Sequence, residues 1–159
     1  FSSLHANSAA GAIARLRDLG VDNFLIAATL RGVIAQRLLR RLCPACRMPY
    51  AVTEGEAALF TRHGLPVPER LYQTQTQTEN HPQGCAKCNH SGHAGRMGIF
   101  EMAEVSQDLR AAIDRGASET ELKTLALGAG ESLIGQGLQA AARGEVSLAE
   151  TLRVVGDVA

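Results

Sequence analysis

Two short runs, Cys43-Pro-Ala-Cys46 and Cys85-Ala-Lys-Cys88, contain all four cysteines of the chain and are separated by 38 residues. Two residues between cysteines let one tight turn direct both sulfurs to a common point, and two such turns complete a tetrahedral four-sulfur site. Zinc suits this donor set best. The spacing therefore predicts a zinc site whose ligands are Cys43, Cys46, Cys85 and Cys88.

The predicted metal has a structural role. Four thiolates fill a tetrahedral coordination sphere and leave no position for water or substrate, so we do not expect hydrolysis at this metal. Closing a loop of about forty residues costs about 4 kcal/mol of chain entropy, whereas zinc binding by four-ligand peptides is worth roughly 10 to 16 kcal/mol. Binding of the metal therefore outweighs the cost of closing the loop.

Three other interpretations of these cysteines compete with the zinc site. Disulfides need an oxidising compartment, for which nothing else in the sequence argues. Unconnected buried thiols would require two C-x-x-C motifs to arise by chance. A histidine could instead replace one sulfur, the candidates being His63, His81, His90 and His93. His90 could also donate a hydrogen bond to a sulfur from outside the ligand set.

The composition limits the other classes of function. The chain has 159 residues, 16 basic and 16 acidic side chains and 45% hydrophobic residues, which predicts one globular domain or two small ones. Zero net charge argues against a nucleic-acid partner, and we expect no membrane span and no signal peptide. Because the first residue is Phe1, we expect a piece of a longer protein.

Apolar spacing and capping residues predict a mostly helical chain. A first helix runs from Ala9 to Leu19, is capped by Asn7 or Ser8 and ends at Gly20. A second helix is predicted to start after Asp22 and to carry an apolar stripe to Leu38. Later helices are predicted after Thr53 (through Phe60 and ending at Gly64), after Ser106 (ending at Gly116), after Ser118, from Glu131 to Arg143 and after Ser147.

The remaining segments are extended chain or loop. The run from Arg96 to Val105 predicts a strand, and Pro66 and Pro68 predict extended chain. The polar Gln-Thr repeat from Gln73 to Gly84 predicts a loop, with an extended hairpin as the alternative.

Two polar features have both a functional and a structural interpretation. Four arginines between Arg37 and Arg47 flank the first cysteine pair, and the second helix predicted above places Arg37, Arg40 and Arg41 in its last turns. They could bind nucleic acid, but cations that complement a helix end are the commoner explanation. His5 and Asn7 precede a helix and could face a phosphate or a catalytic water, the alternative being an Asn cap and an incidental histidine.

Several catalytic motifs are absent from the sequence. The only lysines are Lys87 and Lys123, and neither follows a glycine, so the chain has no P-loop. It also has no G-x-S-x-G elbow. This chain alone carries no complete active site that we recognise.

The order of the motifs resembles that of one family. The runs that carry the resemblance are Ser3-Leu-His-Ala-Asn7, Arg15-Leu-Arg-Asp-Leu-Gly20, Val33-Ile-Ala-Gln-Arg-Leu-Leu-Arg40, Leu42-Cys-Pro-Ala-Cys46, Gly84-Cys-Ala-Lys-Cys-Asn-His90, Gly95-Arg-Met-Gly-Ile-Phe-Glu101 and the tail from Gly144 to Val155. Together they are similar to the type II secretion ATPases (general secretion pathway protein E), within the wider type II/IV secretion and type IV pilus assembly ATPases.

The resemblance implies an α-rich α/β fold that forms the C-terminal part of a RecA-like P-loop NTPase domain. Residues 1–40 would be the remnant of that domain with a small sheet, residues 41–105 a tetracysteine zinc subdomain, and residues 106–159 a helical subdomain. His5 would be the His-box histidine that senses the γ-phosphate of ATP. The four cysteines would be the zinc ligands.

The resemblance also implies what the parent protein does. It would be a hexameric cytoplasmic ATPase, docked on inner-membrane platform proteins, that binds ATP and Mg²⁺ and powers pseudopilus assembly and protein transport across the outer membrane. Without the phosphate-binding loop and the magnesium-holding residues, this chain alone is expected to be inactive. The alternatives are a type IV pilus ATPase fragment and a free-standing zinc-ribbon adaptor for protein or nucleic acid.

Overall fold

The computed structural model describes residues 1–75, 84–128 and 131–156 of the protein. The elements, in chain order, are α1 (Ala9–Asp18), α2 (Asn23–Thr29), β1 (Gly32–Leu42), β2 (Met48–Ala51), α3 (Glu54–Arg62), β3 (Arg70–Gln73), a 3₁₀ turn (Ala86–Cys88), β4 (His93–Glu104), α4 (Gln107–Asp114), α5 (Glu119–Ala126), α6 (Leu133–Ala142) and α7 (Leu148–Val155). This content confirms the predicted α-rich α/β class.

The chain divides into two compact units. The helical unit comprises Phe1–Gln36 and Phe100–Ser132, and the cysteine unit comprises Arg37–Ile99 and Leu133–Ala159. Each unit combines two separate stretches of sequence. The division of the chain into residues 1–40, 41–105 and 106–159, which the family resemblance implies, stays a prediction.

The core of the helical unit lies between α1, α2, α4 and α5. Its buried apolar side chains are Ala10, Ile13, Ile26, Ala27, Val105, Leu109, Ala112, Ile113, Ala117 and Leu122. The capping predictions for α1, α4 and α5 are confirmed, because Ser8, Ser106 and Ser118 each accept a hydrogen bond from a backbone N–H in the first turn of the helix that follows. Asp22 precedes α2 but makes no side-chain capping bond. α1 ends before Gly20, whose φ of 84° is left-handed.

The cysteine unit is built on a small antiparallel sheet and two helices. β2 pairs with β3 in a register that places Met48 opposite Gln73 and Ala51 opposite Arg70. The fully buried side chains of this unit include Leu39, Phe60, Leu71, Leu138 and Val146. The predicted capping box at the start of α3 is confirmed, and both β2 and β3 are strands that sequence reasoning did not predict.

The second predicted helix is wrong over most of its length. α2 ends at Thr29, and residues Gly32–Leu42 form the strand β1, which pairs with β4. Val105 N–H donates to the carbonyl of Arg31, and Cys43 N–H donates to the carbonyl of Gly92, so the two strands are antiparallel. Arg37, Arg40 and Arg41 therefore lie on a strand, where a helix dipole cannot explain them.

Three further expectations concern the ends and the middle of the chain. Residues 1–6 have no regular secondary structure, so the sheet remnant predicted at the N-terminus is not formed by this segment. The strand predicted from Arg96 is confirmed as β4, whereas most of the Gln-Thr segment, residues 76–83, lies outside the described residues. Within the parts of the chain that the structure describes, no helix has the length and apolar composition to cross a membrane.

Candidate metal centre

The first cysteine pair lies in the turn that follows β1. Arg47 N–H donates to the carbonyl of Cys43 at 2.9 Å, and Cys46 N–H approaches the same oxygen at 3.3 Å. Pro44 occupies the second position of this turn, where its fixed φ is favourable. The turn brings the side chains of Cys43 and Cys46 to one side of the backbone.

The second pair lies in a turn of similar design. Cys88 N–H and His90 N–H donate to the carbonyl of Cys85 at 3.1 and 2.9 Å. Asn89 and His90 then adopt left-handed φ values of 49° and 59°, which reverse the chain toward β4. Ser91 Oγ–H closes the turn by donating to the carbonyl of Cys88 at 2.6 Å.

The two turns bring the four sulfurs together. All four Sγ atoms lie within 4.8 Å of one another, with Cys43 to Cys85 at 3.9 Å, Cys46 to Cys88 at 3.8 Å and Cys85 to Cys88 at 3.9 Å. A tetrahedral zinc site with bonds of about 2.3 Å has sulfur-to-sulfur edges of about 3.8 Å. The cysteines are free thiols, and their arrangement could hold a metal ion of that size.

The protonation of these thiols differs within the cluster. Burial, together with hydrogen bonds to the other three cysteines, raises the pKa of Cys46 to about 12. The pKa of Cys88 falls to about 6, chiefly because the backbone N–H of Cys85 donates to its sulfur at 3.3 Å. Four negative sulfurs at these distances oppose one another, so a bound cation is what would allow all four to ionise.

A glycine gives the cluster its space. Gly84 has a φ of 81°, and a Cβ at this position would lie 2.5 Å from the Gly92 nitrogen and 2.9 Å from the Cys88 sulfur. Both distances are too short for any side chain. The backbone before Cys85 therefore fits closely around the sulfur cluster, as expected if the donor set is built for a metal.

A buried ion-pair network holds the strand that leads into the first cysteine turn. The Glu150 side chain on α7 is 1% exposed and accepts hydrogen bonds from the Arg40 backbone N–H, the Arg40 guanidinium and the Arg153 guanidinium, at 2.7 to 3.1 Å. Burial alone would raise the pKa of Glu150, but the bonds from Arg153 and Arg40 outweigh it and lower the pKa to about 2. This network joins β1 to α7 within the cysteine unit.

The metal cluster contains none of the histidines in the described part of the chain. Within the described residues, the cluster consists of cysteines alone, and His93 Nδ1 is 2.9 Å from the carbonyl of Ser91. His81 falls outside the described residues. His5 is exposed and is not among the residues of the cysteine cluster.

Two backbone N–H groups at the N-terminus of α1 donate to side chains of the protein. Ala9 N–H donates to the Glu101 carboxylate at 2.7 Å, and Gly11 N–H donates to Ser8 Oγ at 2.9 Å. The sequence leaves open whether N–H groups near His5 and Asn7 face a phosphate, and in the structure these two N–H groups bond within the protein. The phosphate-sensing role of His5 stays a prediction.

Sequence reasoning found the cysteines but missed Glu101, Glu150 and Gly84. A helix is predicted after Ser147, and Glu150 N–H does donate to Ser147 Oγ at 3.1 Å. Its carboxylate, however, binds arginines of β1 and α7. The Gly84-Cys85 dipeptide was a usable signal for the glycine, since a residue beside a metal ligand is often confined.

The fold and this cluster define an α/β chain with a four-cysteine group that could hold a metal ion. The family model described as type II/IV secretion system protein matches residues 1–153. The chain belongs to this family, as the resemblance predicted.

Curated relatives agree with this assignment. Type II secretion system ATPase E of Vibrio cholerae is 39% identical over 153 residues, which cover 96% of this chain and 29% of that protein. Type II secretion system protein E of Dickeya dadantii is 46% identical over 118 residues, covering 74% and 22%. Type IV pilus assembly ATPase TfpB of Acinetobacter baylyi is 37% identical over 156 residues, covering 97% and 25%. The chain thus spans less than a third of the length of each.

Proposed function

We propose that this chain is the C-terminal portion of a hexameric ATPase that powers type II protein secretion, and that it carries a structural zinc ion. The observation that supports the proposal best is the convergence of four sulfurs within 4.8 Å in a chain that matches the family over residues 1–153. The RecA-like P-loop context, the hexamer and the ATP and Mg²⁺ of the intact protein belong to this proposal.

The proposed zinc is held by Cys43, Cys46, Cys85 and Cys88. When bound, it supplies positive charge that keeps the four sulfurs ionised and close together. The chain's own residues shape the site. The two turns orient the sulfurs, and the network around Glu150 anchors the strand before Cys43. The site thereby ties the two ends of a 38-residue segment to each other.

The partners follow from the same proposal. In the intact protein this portion contacts the N-terminal half of the same ATPase, neighbouring subunits and inner-membrane platform proteins on the cytoplasmic side. His5 senses the γ-phosphate. The chain by itself lacks a P-loop and does not hydrolyse ATP.

A type IV pilus assembly ATPase is the second candidate. The observation that favours it is the identity of 37% with the Acinetobacter baylyi pilus ATPase, which is close to the 39% shared with the Vibrio cholerae secretion ATPase. Pilus assembly and secretion can be distinguished in the organism that encodes the parent protein.

The decisive experiment replaces the parent gene in that organism. We expect deletion to abolish release of secreted enzymes into the medium, and the wild-type gene to restore it while Cys43→Ser with Cys88→Ser does not. Loss of surface pili with intact secretion would favour the second candidate instead. If neither process changes and the chain is retained on DNA in a salt-dependent manner, the zinc-ribbon adaptor would be the better interpretation.

A parallel measurement tests the metal. The purified 159-residue chain should contain a single zinc ion per molecule by mass spectrometry of the elements, and the double serine variant should contain none. Exposure to a strong chelator should lower the stability of the wild-type chain but not that of the variant. A metal-free wild-type chain with the same stability as the zinc-treated one would contradict the structural role.

A further inference from the structure

Glu101 is one of two buried carboxylates within the described residues. It lies on β4 in the helical unit and is 2% exposed. Burying a carboxylate is unfavourable unless strong hydrogen bonds compensate. Glu150, the other one, is compensated by two arginines. The contact between Glu101 and α1 instead involves a neutral backbone N–H group.

Glu101 binds the first backbone N–H of α1. The Ala9 nitrogen is 2.7 Å from Glu101 Oε1, which is at the short end of the range for an N–H to oxygen bond. The positive end of the helix dipole favours a carboxylate at this point. The bond therefore fixes the start of α1 to β4.

A second carboxylate holds the same turn from another helix. Ser8 Oγ–H donates to Glu119 on α5 at 3.3 Å, while Ser8 Oγ accepts from Gly11 N–H. A Cβ on Gly11 would come within 3.0 Å of Ser8 Oγ and 3.1 Å of Glu119 Oε1, so the contact needs a small residue there. The backbone at Ser8 and Ala9 is thus held by contacts with both β4 and α5.

We propose that Glu101 is a positioning residue for His5. His5 precedes Ala9 by four residues, so a fixed Ala9 limits where the imidazole can reach. The inference rests on the proposed function, since it assumes that His5 acts on ATP in the intact protein. Glu101 acts through the backbone of α1 and has no role in the chemistry itself.

The first test measures the position of the segment without any activity. In nuclear magnetic resonance spectra of the 159-residue chain, Glu101→Asp should speed hydrogen exchange at the Ala9 amide by about tenfold or more, because the shorter side chain withdraws the carboxylate. The signals of residues 5–8 should shift. Glu101→Gln keeps an acceptor oxygen and should change them less. Ser106→Ala removes the cap of α4 and is the matched control, expected to leave residues 5–9 unchanged. Unchanged Ala9 exchange in Glu101→Asp would overturn the proposal.

The second test is a double-mutant cycle in the intact parent protein. Glu101→Asp should lower kcat for ATP roughly tenfold while KM stays the same, since a displaced catalytic group affects the reaction more than binding. In a His5→Ala background the same substitution should change kcat by no more than about twofold. An equal loss in both backgrounds would show a general structural role and overturn the proposal. If His5→Ala itself leaves ATP hydrolysis unchanged, the role of His5 fails, while the exchange measurement still decides whether Glu101 holds the segment.

Discussion

Removing the carboxylate of Glu150 tests the network that anchors β1. In the wild-type protein this carboxylate is 1% exposed and accepts bonds from Arg40 and Arg153, whose side chains are 50% and 59% exposed. The glutamate is therefore desolvated, whereas the arginines remain partly hydrated. Substituting Glu150→Gln leaves two cations facing an amide and weakens the acceptor of the Arg40 backbone N–H.

The pKa of Glu150 gives the size of the effect. It falls from 4.5 to about 2 in the folded protein. At about 1.4 kcal/mol for each pKa unit, the folded state gains roughly 3 kcal/mol from the ionised carboxylate at neutral pH. The range for breaking buried ion pairs, roughly 3 to 5 kcal/mol, is similar. We therefore expect Glu150→Gln to lower the free energy of unfolding by roughly 3 kcal/mol at pH 7.

The pH dependence has a definite sign. Because folding lowers the pKa, the contribution of Glu150 is complete above pH 4.5 and is lost as pH falls from there toward about 2. The difference in stability between wild type and Glu150→Gln should be constant from pH 7 to pH 5 and should shrink below pH 4.5. Taking the difference removes effects common to both proteins, such as metal loss in acid.

Urea unfolding followed by circular dichroism measures this difference. The matched control is Glu145→Gln, because the Glu145 side chain is 30% exposed and pairs with Arg41 at 3.9 Å and with Arg143 at 2.9 Å. Such exposed pairs contribute about 0 to 1 kcal/mol. Our reasoning is refuted if Glu150→Gln costs no more than Glu145→Gln, or if its effect persists unchanged at pH 3.

Two further substitutions have matched controls in the same unit. Gly84→Ala should reduce zinc affinity and stability strongly, because its Cβ would overlap the Gly92 nitrogen and the Cys88 sulfur. The control is Gly95→Ala, where φ is 77° and no atom lies within 4 Å of the new Cβ; its free energy of unfolding should fall by only about 1 to 2 kcal/mol. Equal losses of zinc affinity for the two variants in a competitive titration would contradict this prediction. Thr53→Ala should lower the free energy of unfolding by about 1 kcal/mol, because Glu56 N–H loses its acceptor at 3.3 Å and the Glu56 carboxylate loses the hydroxyl at 2.9 Å. Thr53→Ser keeps both bonds and should match wild type in thermal unfolding.

Helix starts were predictable because their determinants are local. Ser8, Thr53 and Ser106 each bond a backbone N–H three residues later, so the pattern is contained within four residues of sequence. The cysteine turns are local in the same sense. Spacing alone predicted which sulfurs converge.

The strands were harder because their partners lie far along the chain. Residues 25–38 carry apolar side chains at helical spacing, yet the run beginning at Gly32 pairs with β4, some sixty residues later. That pairing overrides local propensity, and Val33 and Ile34 are β-branched residues that favour a strand. β2 and β3 are four residues each, too short for periodicity to be informative.

The functional groups that sequence reasoning missed depend on the same distant contacts. Glu101 bonds Ala9 across 92 positions, and Glu150 bonds Arg40 across 110. No local pattern indicates which of the sixteen acidic residues becomes buried.

The outer edge of β1 is covered by two bonds that depend on the sequence in different ways. Leu42 N–H donates to the backbone carbonyl of Glu145, which any residue at that position offers, whereas Arg40 N–H needs the side chain of Glu150. The bond at Leu42 therefore does not depend on which side chain occupies position 145, whereas loss of the acceptor at position 150 would leave the Arg40 N–H open at the edge of β1, where another chain could pair with it.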